Sequence, residues 1–129
     1  MPKTYTQPPL AQKLPVIVLG ATGLVGQRLL TLLEGHPWFR VTAIAASERS
    51  TGARYGDAVR WRLETPPPAD ALPLRLQAPE PAQLPPARIV FSALPADEAR
   101  EIEPRFAAAG ALVFSNASAY RMSDDIPLI

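Results

Sequence analysis

Gly20, Gly23 and Gly26 stand three residues apart and are entered from the apolar run Val16-Ile17-Val18-Leu19. An apolar run that closes on spaced glycines reads as a buried strand, a tight turn and the first turn of a helix. That geometry aims backbone N–H groups and a helix N-terminus at a phosphate, so the segment is suited to a dinucleotide. The spacing is GxxGxxG rather than the commoner GxGxxG, and context carries the argument: a strand before, a helix after, a second strand at the right distance. Gly20 would permit the tight turn, Gly23 would let the backbone approach the pyrophosphate, and Gly26 would let the helix pack closely on the sheet. Thr22, Leu24 and Val25 lie in the same turn and join the three glycines as candidate cofactor contacts. The alternative is structural: glycines that only enable a tight strand-to-helix turn.

Cofactor choice is written about 20 residues further on, where an NAD site usually carries Asp or Glu for the ribose 2′-hydroxyl. That position reads Ala46-Ser47-Glu48-Arg49-Ser50-Thr51. The hydroxyls of Ser47 and Ser50 and the Arg49 guanidinium suit a 2′-phosphate, because arginine pairs with phosphate oxygens by charge-assisted, often bidentate bonds. Arg54 stands near enough in sequence to assist. Glu48 is discordant, since a carboxylate facing a 2′-phosphate repels it, and is expected to point to solvent. NADP is therefore expected over NAD.

Other chemistries are poorly supplied. The chain has 129 residues and no cysteine, which excludes disulfides, thiolate metal sites and thiol nucleophiles from it. Its one histidine, His36, follows a helical pattern in Gly35-His36-Pro37 and reads as a helix-end residue rather than a catalyst. No metal site is expected. Thirteen basic and twelve acidic residues give a net charge of +1, no electrostatic case for nucleic acid or an anionic membrane. No apolar run approaches the roughly 20 residues that span a bilayer, and the N-terminus lacks the apolar stretch of a signal peptide. The expectation is a soluble cytoplasmic protein.

The elements that must hold the turn follow from periodicity. Residues 16–20 read as a first strand, and Leu24, Val25, Leu29, Leu30, Leu32 and Leu33 recur at helical spacing until Gly35 and Pro37. Residues 41–46 read as a second strand, nearly continuous in apolar side chains as a parallel sheet requires. Ser47 to Gly56 reads as a loop. Half of the sixteen prolines fall between Pro66 and Pro86, so 72–77 is placed as an edge strand set in loops. Strand 88–92, helix 95–109 with Gly110 just past its end, and strand 111–115 complete an alternation of strand and helix. The fold class is α/β, a Rossmann-type doubly wound parallel sheet, with residues 1–13 a flexible tail and 14–129 one nucleotide-binding domain. Ile126-Pro-Leu-Ile129 opens another apolar run at the end of the sequence, for which truncation before a substrate domain is the expected explanation.

Three later segments narrow the reading: Gly52-Ala-Arg-Tyr55-Gly-Asp57-Ala-Val-Arg-Trp61, Ser92-Ala-Leu94-Pro95, and Ser115-Asn116-Ala-Ser-Ala-Tyr-Arg121-Met122 with the aspartates after it. With the glycine turn, these resemble aspartate-semialdehyde dehydrogenase, and more its archaeal and fungal branch than the common bacterial one, over about residues 14–129. The resemblance implies reductive dephosphorylation of L-4-aspartyl phosphate by NADPH, through a thioester on an active-site cysteine. The product is L-aspartate 4-semialdehyde, a precursor of lysine, threonine and methionine. It further implies that the glycine turn and Ser47, Arg49 and Ser50 hold the cofactor, and that Ser92, Leu94 and Pro95 pass near the nicotinamide ribose. Arg121 would bind the substrate phosphate with Asn116 nearby, in an enzyme that is generally a homo-oligomer. Read alone, Arg121 suits a phosphate by its planar fork and its loop after a strand, but also suits a surface ion pair with Asp124 or Asp125. Tyr55 and Trp61, taken alone, are packing residues.

The departure is the missing nucleophile. Without cysteine no thioester forms on this chain, and no serine or threonine has an adjacent base to replace it. The 129 residues are thus expected to bind NADP as the N-terminal part of such an enzyme and to turn nothing over alone. The rivals are N-acetyl-γ-glutamyl-phosphate reductase, of the same architecture, and a non-catalytic NADP-binding regulatory module. An extended short-chain epimerase or reductase needs Tyr-x-x-x-Lys, and lysine occurs only at positions 3 and 13.

Overall fold

Val16, Val18 and Leu19 are fully buried because the strand they build runs through the middle of the sheet and is covered on both faces. The computed structural model describes residues 13–116, except for the Glu48 side chain. It contains β1 (Leu14–Leu19), α1 (Leu24–Leu33), β2 (Phe39–Ala45), α2 (Tyr55–Ala58), β3 (Leu76–Gln77), β4 (Ile89–Ser92), α3 (Ala96–Ala108) and β5 (Leu112–Ser115), with short 3-10 turns at Glu48–Ser50 and Pro81–Gln83. The five strands are all parallel in the order β3-β2-β1-β4-β5. The chain works outward from β1 through β2 to β3, then crosses back to lay β4 on the other side of β1. Strand order therefore reverses between β1 and β4, and open α/β sheets bind ligands in the crevice outside the carboxyl ends at such a point.

Side chains of β1 alternate between two cores. Val16 and Val18 pack with Leu30, Leu33, Ile44 and Tyr55 under α1, while Ile17 and Leu19 pack with Val90, Leu94, Ala99 and Phe106 under α3. Helix α3 ends as its sequence predicts. Gly110 adopts φ +98, its N–H donates to the Ala107 carbonyl at 3.0 Å, and that of Ala111 reaches the Phe106 carbonyl at 3.1 Å, the paired bonds of a Schellman motif. His36 closes α1: its N–H donates to the Leu33 carbonyl, its Nδ1 accepts the Trp38 N–H at 3.1 Å, and its ring stacks on Phe39.

The structure departs from periodicity in four places, one being β2, which begins two residues early at Phe39 and ends at Ala45. β1 begins at Leu14 and stops at Leu19, because Gly20 turns left-handed at φ +71 and leaves the sheet. The expected loop 47–56 instead carries a 3-10 turn and the start of α2. The expected edge strand 72–77 contracts to Leu76–Gln77. The amides of Gly52, Tyr55 and Gly56 donate to the carbonyls of Leu76, Leu74 and Leu72, so this stretch pairs mainly with residues 52–56 rather than with β2. Pro73, which has no donor of its own, sits within it.

On the α1 side Ile89 and Phe91 of β4 pack against the core, while the β5 edge is left open among the described residues. Leu112 is 63% exposed and Phe114 40%, with the Phe114 ring stacked on Phe91 at 5.6 Å.

Burial sets the expected response to truncation. Leu30 is 2% exposed and Leu32, two positions on, 73%. Leu30→Ala should lower the unfolding free energy in urea by about 2–5 kcal/mol, and Leu32→Ala by about 0.5 kcal/mol or less. Equal midpoints for the two variants would contradict this arrangement of α1.

Candidate functional site

The glycine turn sits at the strand reversal, and its neighbours explain its composition. The N–H of Ala21 donates to the Ala45 carbonyl at 3.0 Å, tying the turn to the end of β2. On the other side the N–H of Ala93 donates to the Leu19 carbonyl at 2.9 Å, so Ser92–Pro95 runs beside it. A Cβ on Gly20 would stand 2.7 Å from the carbonyl carbon and oxygen of Ala93, in addition to the strain of its positive φ. Gly26 is equally constrained, but not by the sheet, as its spacing suggested. A Cβ there would meet the Gly20 carbonyl oxygen and stand 2.7 Å from the Ala21 Cα, so this glycine lets the helix close on the turn itself. Gly23 differs from both. Its nearest such neighbour is the Gly20 oxygen at 3.8 Å, and its outer side is open.

Gly23 is the N-cap of α1, and no side chain caps the helix. The first amides of a helix have no partner inside it, so Leu24 and Val25 present N–H groups and the positive end of the helix dipole to the crevice. Their side chains are exposed there, at 46% and 37%. Thr22 is half-buried at the apex.

The remaining predicted positions fall on the same edge of the sheet. Ser47, Arg49 and Ser50 follow β2, Ser92 ends β4 and is followed by Ala93 to Pro95, and Asn116 follows β5, where its N–H donates to the Ser92 carbonyl at 3.0 Å. Ser92 and Leu94 are buried: the Ser92 Oγ accepts the Leu94 N–H at 3.4 Å, and the Leu94 side chain belongs to the core under α3. This loop therefore offers a ligand main chain rather than those side chains. Arg121 and the run 126–129 lie outside the described residues.

Arg49 lines a cavity of about 510 Å³ beyond the tip of β2, with Ser47, Pro79, Ile102 and the charged group Glu80, Glu98, Glu101 and Arg105. Arg105 is engaged, paired with Glu80 and, at 3.2 Å, with Glu101. Arg49 is exposed and makes no ion pair among the described residues. An apolar cavity of about 310 Å³ between Leu30, Phe39 and Leu74 lies at the amino ends of the strands, opposite the reversal point. No group of three or more metal-ligating side chains occurs among the described residues, and none of their helices is long and apolar enough to cross a membrane.

Two residues outside the motif touch the turn from behind. The Tyr55 hydroxyl donates to the Ala21 carbonyl at 2.7 Å, and the Gln27 Nε2 donates to the Thr22 carbonyl at 3.0 Å. Burial pushes the Tyr55 phenol well above its ordinary value. Gln27 went unremarked in the sequence, although a signal was present: it falls three residues before Leu30, on the buried face of α1.

The chain is similar to known proteins over nearly its whole length. The family described as Semialdehyde dehydrogenase, NAD binding domain, matches residues 15–129. Aspartate-semialdehyde dehydrogenase of Archaeoglobus fulgidus is 52% identical over 112 residues, 87% of this chain and 32% of that protein. The enzyme of the same name from Saccharomyces cerevisiae is 44% identical over 87% of this chain and 31% of its own length. The crystal structure of aspartate semialdehyde dehydrogenase with NADP from Candida albicans superposes with a TM-score of 0.83 at 40% identity, covering 91% of this chain and 33% of that one. The chain thus spans about a third of the length of the relatives it matches.

The contrast among the glycines is measurable by urea unfolding. Gly20→Ala and Gly26→Ala should each destabilise by about 1–3 kcal/mol through overpacking and strain, while Gly23→Ala should stay within about 0.5 kcal/mol. A second expectation concerns Tyr55. Its folded-state pKa lies above the unfolded one, so the stability it contributes is complete below about pH 10 and is lost as pH rises from there toward the folded value. Tyr55→Phe should flatten the alkaline limb of the stability–pH curve. Parallel limbs in the two proteins would refute the assignment.

Proposed function

Because this chain belongs to the semialdehyde dehydrogenase NAD-binding domain family, we propose that it forms the NADP-binding part of an aspartate-semialdehyde dehydrogenase. The observation that carries this reading is the turn at the strand reversal: an open Gly23, uncapped helix amides and a neighbouring β4 loop, with an exposed arginine beyond β2 that makes no ion pair among the described residues. These features suit a dinucleotide. A pyrophosphate would lie over Gly23 and the first amides of α1, which supply N–H donors without a side chain in the way. Ser47, Arg49 and Ser50 would take the 2′-phosphate, and the main chain of Ser92 to Pro95 would border the nicotinamide ribose. NADPH, when bound, supplies hydride.

The substrate of this reading is L-4-aspartyl phosphate, converted to L-aspartate 4-semialdehyde on the route to lysine, threonine and methionine. Asn116, set at the crevice by its bond to Ser92, and Arg121 would hold the substrate phosphate. The covalent step requires a thiol, and the 129 residues contain none, so this chain contributes binding and orientation only. The reading includes a cytoplasmic homo-oligomer acting on a small phosphorylated amino acid, with residues 14–129 as one domain. The names of the relatives support the enzyme class of this reading. The relatives named above are aspartate-semialdehyde dehydrogenases, which favours this substrate over the N-acetyl-γ-glutamyl phosphate of the rival enzyme.

Fluorescence titration with NADPH and NADH tests the cofactor assignment. Arg49→Ala should weaken NADPH by roughly tenfold or more, the loss of a charge-assisted bond, and leave NADH within about twofold, a difference of roughly 0.4 kcal/mol. Equal losses would remove Arg49 from the 2′-phosphate, and failure of the unmodified chain to bind NADPH would overturn the function itself.

A further inference from the structure

We propose that Tyr55 and Gln27 are positioning residues of the nucleotide site, a clamp that sets the direction of the turn's amides from the side the ligand never touches. The proposal rests on the nucleotide reading above and adds the back wall of that site. Its physical basis is the planarity of the peptide unit, in which the C=O and N–H point in opposite directions. The Ala21 carbonyl is held inward by the Tyr55 hydroxyl at 2.7 Å. The N–H of Thr22, in the same peptide plane, must then point outward, and it has no acceptor among the described residues. The next carbonyl, that of Thr22, is held inward by the Gln27 Nε2 at 3.0 Å, which fixes the following plane, whose Gly23 N–H closes the turn on the Gly20 carbonyl at 3.3 Å and leaves the Thr22 N–H as the outward donor.

Both clamping groups are themselves immobilised. Tyr55 is fully buried in the core under α1. Gln27 is 1% exposed, and its amide makes two further bonds, donating to the Arg60 carbonyl at 2.9 Å and accepting the Arg62 N–H at 2.9 Å. A buried amide with three of its four hydrogen-bonding positions filled has one orientation available. The excursion 55–62 is thus anchored to α1 and to the turn together. Glycine permits the turn's conformation but also permits others, and the clamp selects among them. A rigid donor set loses less ordering entropy when an anion binds than a mobile one.

The experiment compares Tyr55→Phe, Gln27→Met and, as a control, Trp61→Phe, which removes the indole donor of an exposed bond to the Thr65 carbonyl away from the turn. Each is titrated with NADP and with 2′-AMP, which has the adenosine 2′-phosphate but no pyrophosphate. Backbone 15N relaxation is measured on the ligand-free proteins. Tyr55→Phe should weaken NADP by roughly threefold to tenfold, the scale of one hydrogen bond, and leave 2′-AMP unchanged. The order parameters of Thr22 and Gly23 should fall from about 0.85 toward 0.6. Gln27→Met should do the same more strongly, and Trp61→Phe should do neither. Where Gln27→Met does not fold, Tyr55→Phe decides. Equal loss of both ligands would assign Tyr55 a general structural role and overturn the clamp, as would an unchanged turn in the relaxation data. If the unmodified chain binds neither nucleotide, the nucleotide reading falls, and the ligand-free relaxation data alone decide whether the clamp exists.

Discussion

Everything in this chain depends on β1 being paired on both sides and covered on both faces. A strand with Val16, Val18 and Leu19 wholly out of water has its backbone groups satisfied only if β2 and β4 both run alongside it. That requirement places the crossover from β3 back to β4, and with it the reversal in strand order. The ends of three strands then open into one crevice, so the loops after β1, β2 and β4 share an edge without contacts between their side chains being needed. The position of the site is a consequence of how the central strand is satisfied.

The site itself is built mostly from main chain. The donors open at the crevice are the Thr22 amide and those of the first turn of α1, and the β4 loop keeps its Ser92 hydroxyl and Leu94 side chain for its own folding. Among the described residues formal charge enters beyond β2, where carboxylates outnumber guanidinium groups. Arg105 engages two of the three glutamates there, at a largely exposed position where such pairs add little to stability.

Local patterns made much of this legible. The strands, α1 and α3 follow from apolar periodicity, the left-handed Gly20 and Gly110 from their place after a strand and a helix, and the shared edge from alternation of element types. What escaped was held by hydrogen bonds between distant parts of the chain. Tyr55 and Ala21 are 34 positions apart, and Gln27 and Arg60 are 33. No period in a sequence reports such pairs, and Tyr55 reads alone as one more packing aromatic. Residues 72–77 were placed at the sheet edge, but proline content could not reveal that 52–56 would pair with them. Gly26 was assigned to sheet packing, whereas its constraint comes from the turn six residues before it.

The contact between Gly20 and Ala93 also restricts how such a sequence can be altered over time. The two loops touch backbone to backbone, with no side chain between them to trim or enlarge as compensation. An insertion after β4 would push directly on the phosphate turn, and a larger residue at position 20 would require a new course for the segment leading into α3. Substitutions at one loop are therefore admissible only in company with changes at the other. Diversification of the fold is directed to 63–67 and 78–83, outside the stretch 72–76 that pairs with 52–56 and so with the Tyr55 contact to the turn.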